Sequence, residues 1–326
     1  MISWLARRVA VSLLLIIALM SAVFFVVRLA PGDPLDQVMQ DELGDAGRRL
    51  MRTRMGLDQP LGRQYVNWLG GVLGGDFGTS LAQQRPVWAI LAEAVPATLL
   101  LTLTAYLLHL LLALGAALLA AVRRGGSLDR WIQGIGLVLY SVPAFWLGLM
   151  LIMLFSRKLG WLPAGGMHAP DASYLGWWAR QGDLAVHLVL PVTTLALGTF
   201  MGTARYLRAA LHEILDQDYI LAARARGLPE RRAILRHALR NALLPLITLV
   251  GLSLPFLLGG AVVVEVVFGW PGMGRVAIEA IWARDYPVIM ATTLVSAVTV
   301  VLGSLLADLL YRWADPRVRP AGEEAA

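Results

Sequence analysis

The 326-residue sequence has no cysteine, one lysine and little charge of either sign. Without thiols there are no disulfides, no thiolate nucleophile and no Cys-based zinc or iron–sulfur site. Asp, Glu, Lys and Arg make up only 15% of the residues, while the apolar set makes up 58%; a soluble chain is nearer a quarter charged and half apolar. So few charges cannot cover a surface with solvated groups. The expected solvent is lipid, and this argues against the two soluble domains that length alone would suggest. The lone lysine, Lys158, sits in Ser-Arg-Lys-Leu-Gly. The phosphate-binding loop G-x-x-x-x-G-K-[ST] needs its Lys between Gly and Ser or Thr, so the chain carries no such loop. The five histidines (His109, His168, His187, His212 and His237) never fall at the i, i+4 spacing of a helical metal pair.

What is present is apolar length. A spanning helix needs roughly 20 largely apolar residues. Six stretches free of Asp, Glu, Lys and Arg meet that need: Val9–Val27, Ala97–Val122, Trp131–Phe155, Leu184–Ala204, Ala242–Val264 and Tyr286–Ala307. The first follows Arg7 and Arg8, but its apolar run exceeds that of a signal peptide and no A-x-A-like site follows before Arg28, so it reads as a retained helix. Placing the N-terminus in the cytoplasm puts 16 basic residues in 72 on the inside and 12 in 118 on the outside. By the positive-inside rule both termini are cytoplasmic. The same bias accounts for the net charge of +6. No basic segment is interleaved with exposed aromatics, so no nucleic-acid partner is expected.

Within the six stretches the only ionisable groups are His109 and His187. Each reads as a hydrogen-bonded packing residue or as a proton relay. A gradient-driven carrier would need acids or unwound polar backbone at mid-depth, and an intramembrane enzyme would need a nucleophile pair or a metal set. The stretches supply neither. Glu265, at the outer end of the fifth, either reaches the interface or faces a cavity. Pro143, Pro191, Pro245 and Pro255 each remove a backbone donor and bend a span. The outline is a pathway without its own energy source and without cofactor.

The segment 205–241 holds eight arginines and four acids. Leu207, Leu211, Ile214 and Leu215 share one helical face, interrupted by Asp218. Small Ala222, Ala223 and Ala225 follow, then Gly227 and Pro229. Gly suits the left-handed residue that ends a helix, and Pro the first turn of the next. This grammar predicts two short helices joined by a sharp cytoplasmic elbow, which serves either as a docking surface or as a solvated connector.

Here the residues resemble a known family. Leu221-Ala222-Ala223-x3-Gly227 is similar to the "EAA" loop of ATP-binding-cassette importer permeases. Leu221 stands where the general motif has Glu, and Leu244-Pro245 lies further on, both as in the dipeptide, oligopeptide and nickel branch. Arg28-Leu-Ala-Pro-Gly-Asp33-Pro34, Gly56-Leu-Asp-Gln-Pro60, Gly75-Asp76-Phe-Gly78-Thr-Ser80 and Pro96-Ala-Thr-Leu99 match that branch. So do Ser141-Val-Pro143-Ala-Phe-Trp-Leu-Gly148, Gly160-Trp-Leu-Pro-Ala-Gly-Gly166, Phe268-Gly-Trp-Pro-Gly-Met-Gly274 and Asp315-Pro-Arg-Val318.

The resemblance implies an all-α membrane protein of the type I importer permease class in the bacterial inner membrane. It also implies a non-catalytic subunit forming half of a pathway, with a second homologous permease as the other half of a heterodimer. Two cytoplasmic ATP-binding subunits and an extracytoplasmic substrate-binding protein complete the assembly. The implied cargo is a dipeptide or oligopeptide, with nickel as the alternative. Tyr219, Ala222, Ala223 and Gly227 would contact an ATPase. Arg224 and Arg226 would form ion pairs with it, or would serve only to set topology. Glu265, Trp270, Pro271 and Met273 would shape the outer pore mouth, or the turn there would be a tight connection before a helix carrying Arg275 and Glu279 at i, i+4. The expected division is 1–94 (first helix and long outer loop), 95–308 (five-helix core with the coupling loop 205–241) and 309–326 (cytoplasmic tail).

Overall fold

The structure is a computed structural model that describes residues 2–29, 49, 52–53, 56–122, 125–227, 229, 232–239, 241–242 and 261–314. Among them it is helical, with one isolated bridge between Thr79 and Pro86. The helices are α1 (Ile2–Leu29), α2 (Leu61–Leu73), α3 (Val87–Val122), α4 (Ser127–Ser141), α5 (Ala144–Leu151), α6 (Trp177–Leu215), α7 (Asp218–Ala225), α8 (Val262–Val267), α9 (Met273–Trp282) and α10 (Tyr286–Ala314). A π-helical turn, Ile152–Lys158, continues α5, and another covers Ala233–Ala238.

Four of the predicted spans lie within α1, α3, α6 and α10, which are long and apolar enough to cross a membrane. The fifth stretch falls mostly on 243–260, outside the described residues, as do Pro245, Pro255 and the Asp315–Val318 motif. At 36 and 39 residues, α3 and α6 are about 54 and 58 Å long at 1.5 Å per residue. Each therefore projects well beyond a hydrocarbon layer of about 30 Å.

The predicted span Trp131–Phe155 is not one helix. It is broken into α4 and α5, which meet at 101°. Proline disfavours helical dihedrals in the residue before it. Val142 is extended (φ −81, ψ 126), and Pro143 becomes the N-cap of α5, where its missing N–H costs nothing. Pro96 and Pro191, by contrast, sit inside α3 and α6, and those helices continue through them.

Two compact units make up the chain, and each is discontinuous in sequence. The first joins Met1–Thr98 to Pro271–Val301, and the second joins Leu99–Trp270 to Leu302–Ala326. In the first, Met20, Phe24 and Met290 are buried beneath Tyr65 and Trp68 of the amphipathic α2. The ring of Phe24 lies 5.4 Å from that of Tyr65 and 5.2 Å from that of Trp68. Asp285 is buried and accepts hydrogen bonds from Ser80 Oγ (2.5 Å) and the Ala82 N–H (3.1 Å), which ties the end of the long outer segment to the start of α10. Thr98 Oγ1 accepts the Met273 N–H at 2.7 Å, so two of the matched motifs meet at the N-terminus of α9.

In the second unit, α8 packs against α5 and α6 through Leu190, Val264 and Phe268. The Gly166 N–H donates to the Phe268 carbonyl at 2.7 Å. A Cβ on Gly165 would lie 2.2 Å from that same oxygen, so only glycine allows this approach of two backbones. His109 is enclosed by α6. Its Nδ1 is 2.9 Å from Thr199 Oγ1, and its Nε2 is 3.0 Å from Thr203 Oγ1. Thr199 already donates to the Leu195 carbonyl, so its oxygen accepts from Nδ1–H, while Nε2 pairs with the Thr203 hydroxyl and both ring nitrogens are used. His187 Nδ1 donates to the Asp183 carbonyl at 2.8 Å. His109 thus bonds across two helices, whereas the His187 contact stays within α6.

Candidate coupling site

The elbow is built on the C-terminal end of α6. Leu207, Leu211 and Leu215 recur at i, i+4 and i+8 and are buried. They pack with Ala117 and Ala121 of α3, with Ile220 of α7, and with Ala233, Ile234, Ala238 and Ala242. The alanines let the backbones approach closely. Burial of a side chain such as Ile220 stabilises by about 1.5–3 kcal/mol, and Ile220 is completely buried. It anchors α7 to the unit and was not singled out in the sequence, where it is one apolar residue among many.

α6 stops at Leu215. Gln217 is extended (φ −76, ψ 144) and opens α7, whose first residue, Asp218, suits the positive end of the helix dipole. After eight residues the Gly227 N–H bonds to the Arg224 carbonyl at 2.8 Å, and Gly227 takes φ +91. The predicted helix–Gly–helix elbow is thus present, followed by the π-helical turn Ala233–Ala238. The apolar face continues along α6 rather than starting a new helix, and Asp218 marks the start of α7.

Tyr219, Ala222 and Arg226 lie at i, i+3 and i+7, and all three are exposed, together with Leu221 and Gly227. Tyr219 is held in place by Asn241 Nδ2, which donates to its hydroxyl at 2.9 Å. Ala223 and Arg224 are half-buried. Arg224 Nη1 lies 3.5 Å from the Leu215 carbonyl, so this guanidinium turns back onto the end of α6, as basic groups favour at a helix C-terminus. Arg226 Nε bonds the Ala222 carbonyl at 3.3 Å and remains on the exposed side.

One further pair stiffens the platform. Arg208 of α6 makes a two-pronged ion pair with Asp129 in the first turn of α4, with Nε–Oδ1 at 2.8 Å and Nη2–Oδ2 at 2.7 Å. The Gly125 N–H adds a third hydrogen bond to the same carboxylate. Nothing in the sequence joins these residues, since each reads as an ordinary cytoplasmic flanking charge.

The four candidates for the outer pore mouth do not form one exposed rim. Glu265 and Trp270 are completely buried in the second unit, and the Trp270 N–H bonds the Glu265 carbonyl at 2.8 Å. Met273 is buried in the first unit, and only Pro271 is exposed. Arg275 and Glu279 pair at 2.6 Å, as their spacing predicts.

Long apolar helices, one of them followed by an exposed elbow, and a pair of helices bent at Pro143 fit a multi-pass membrane protein. Residues 113–320 match the family described as binding-protein-dependent transport system inner membrane component, and residues 1–102 match its N-terminal counterpart. The chain belongs to this family. It is 40% identical to the oligopeptide transport system permease protein AppB of Bacillus subtilis, over 98% of this chain and 99% of that one. It is 38% identical to the di/tripeptide transport system permease protein DppB of Pseudomonas aeruginosa, with the same coverage. Among solved structures, an inward-facing MetNI methionine ABC transporter superposes with a TM-score of 0.56 at 20% identity, over 70% of this chain and 97% of that one. The fold is that of a type I ABC importer permease.

Proposed function

We propose that this chain is the non-catalytic permease subunit of an ATP-driven importer and forms half of a pathway for dipeptides or oligopeptides. The supporting observation is the 36–40% identity, over 98% of the chain, to permeases named for peptide transport, joined to an elbow on which Tyr219, Ala222 and Arg226 are exposed. A homologous permease supplies the other half, two cytoplasmic ATPases bind beneath, and an extracytoplasmic binding protein delivers cargo in the bacterial inner membrane. Both termini face the cytoplasm and the span count is six, with 95–308 as the core and 205–241 as its coupling loop.

Tyr219, Ala222, Arg226 and Gly227 meet an ATPase directly. Ala223 and Arg224 act from behind, setting the angle of α7 on α6. Closure of the ATPases on ATP then moves the end of α6 and switches access to the pathway. The test is uptake of labelled dipeptide into liposomes holding the full assembly. Uptake is expected only with ATP, both ATPases and loaded binding protein. Transport by the chain without any ATPase subunit would sink the proposal.

A further inference from the structure

The second unit contains a groove of about 430 Å³ between α4 and α6, within the range of about 300–1,000 Å³ typical of small-molecule sites. Gln133, Leu137 and Tyr140 of α4 line it at i, i+4 and i+7, facing Gly202 and Arg205 of α6. The opposite face of α4 carries Trp131, Ile135 and Val138, all exposed and all apolar. At 100° per residue the two sets lie on opposite sides of the helix. One side of α4 therefore suits lipid, and the other presents an amide and a phenol to a cavity. Polar groups at membrane depth characteristically face water-filled paths.

The groove holds a cation with no internal counter-charge. Arg208, one turn further along α6, is neutralised by Asp129, whereas Arg205 has no carboxylate partner among the described residues. Gln133 and Tyr140 likewise have no hydrogen-bond partner among the described residues. A guanidinium, an amide and an aromatic ring with free valences fit a peptide: a two-pronged grip on a carboxylate, a hydrogen bond to the backbone, and a surface for a side chain. The lining ends at Tyr140, short of the break at Pro143, and Arg205 lies toward the end that the arginine distribution marks as cytoplasmic.

We infer that this groove is the inner section of the translocation path and that Arg205 receives the C-terminal carboxylate of the peptide in transit. This rests on the importer reading above and adds to it a place and a chemical handle. An open groove with a single cation holds cargo weakly, as passage requires.

The experiment uses the full assembly in liposomes with matched peptides ending in a free carboxylate or an amide. Each uptake rate is normalised to the measured affinity of the binding protein for that peptide. Arg205→Gln is expected to lower the carboxylate-to-amide uptake ratio at least tenfold, with Arg205→Lys intermediate. A ratio within twofold of wild type overturns the inference. In a second arm, Gly202→Phe fills the groove, since a Cβ at Gly202 meets nothing within 4 Å. Uptake of both peptides should fall below one tenth in complexes that co-purify with all subunits, and undiminished uptake counts against the groove as the path. Should Gly202→Phe fail to assemble, the Arg205→Gln ratio decides alone. Wild-type uptake that does not depend on ATP would refute the importer reading itself. ATP-dependent uptake indifferent to Arg205→Gln refutes only the present inference.

Discussion

Replacing Gly227 isolates the backbone of the elbow from everything around it. The residue sits at φ +91, and a Cβ added there meets no atom within 4 Å. Substitution therefore brings no clash with the described residues, and within the chain it acts through dihedral preference. A left-handed conformation costs an ordinary L-residue about 1–2 kcal/mol, which lowers the population of the bent elbow by about 5- to 30-fold relative to straighter forms. Asn tolerates this region better than Ala, and a β-branched residue tolerates it worse. The expected order of peptide uptake in the reconstituted assembly is Gly, then Asn, then Ala, then Val, with ATPase co-purification falling in the same order. If the effect instead follows side-chain size, with Ala milder than Asn, then contact with a partner rather than the bend is what Gly227 provides. Four variants indistinguishable from wild type would remove the elbow from the coupling mechanism altogether.

Other expectations concern what supports the elbow. Asp129→Ala should lower the thermal unfolding temperature of the detergent-solubilised chain. Arg208 is 30% exposed on its side chain, so the cost should fall toward the lower end of the roughly 3–5 kcal/mol seen for broken buried pairs. Adding Arg208→Ala should recover part of that loss, and a double variant no better than Asp129→Ala argues against the pairing. Gly165→Ala should cost about 1–3 kcal/mol by forcing two backbones apart, read as a lower unfolding temperature. An unchanged unfolding temperature would contradict the close approach to Phe268.

Charge in the sequence located the apolar stretches but not the ends of the helices that carry them. The charge-free run at Leu184–Ala204 lies within α6, which continues through Arg205 and Arg208 to Leu215, because arginine is a good helix former and a charge does not end a helix. Proline was equally ambiguous. Pro143, Pro96 and Pro191 look alike in the sequence, but only Pro143 opens a break, because Val142 before it adopts an extended backbone. The elbow was legible because its signals are local: alanines, a glycine and a proline within eleven residues of Asp218. Asp129 and Arg208 are 79 residues apart, and only the packing of α4 on α6 joins them. Tyr219 could be named from its neighbours in the chain, but the Asn241 amide that fixes its hydroxyl could not.

The uninterrupted length of α6 has a mechanical consequence. Toward its N-terminal end Asp183 accepts hydrogen bonds from His168 and from the Ala169 N–H, and at its C-terminal end Leu215 is two residues from α7. A rigid tilt of this 39-residue helix by about 5° about its middle would displace each end by about 2.5 Å at 1.5 Å per residue. A push on the elbow would therefore reach the Asp183–His168 contact as a lever stroke, reversed in direction and about two-thirds the size. No chain of switching side chains is required between the two ends, and the stiffness of one helix sets how much of the stroke arrives.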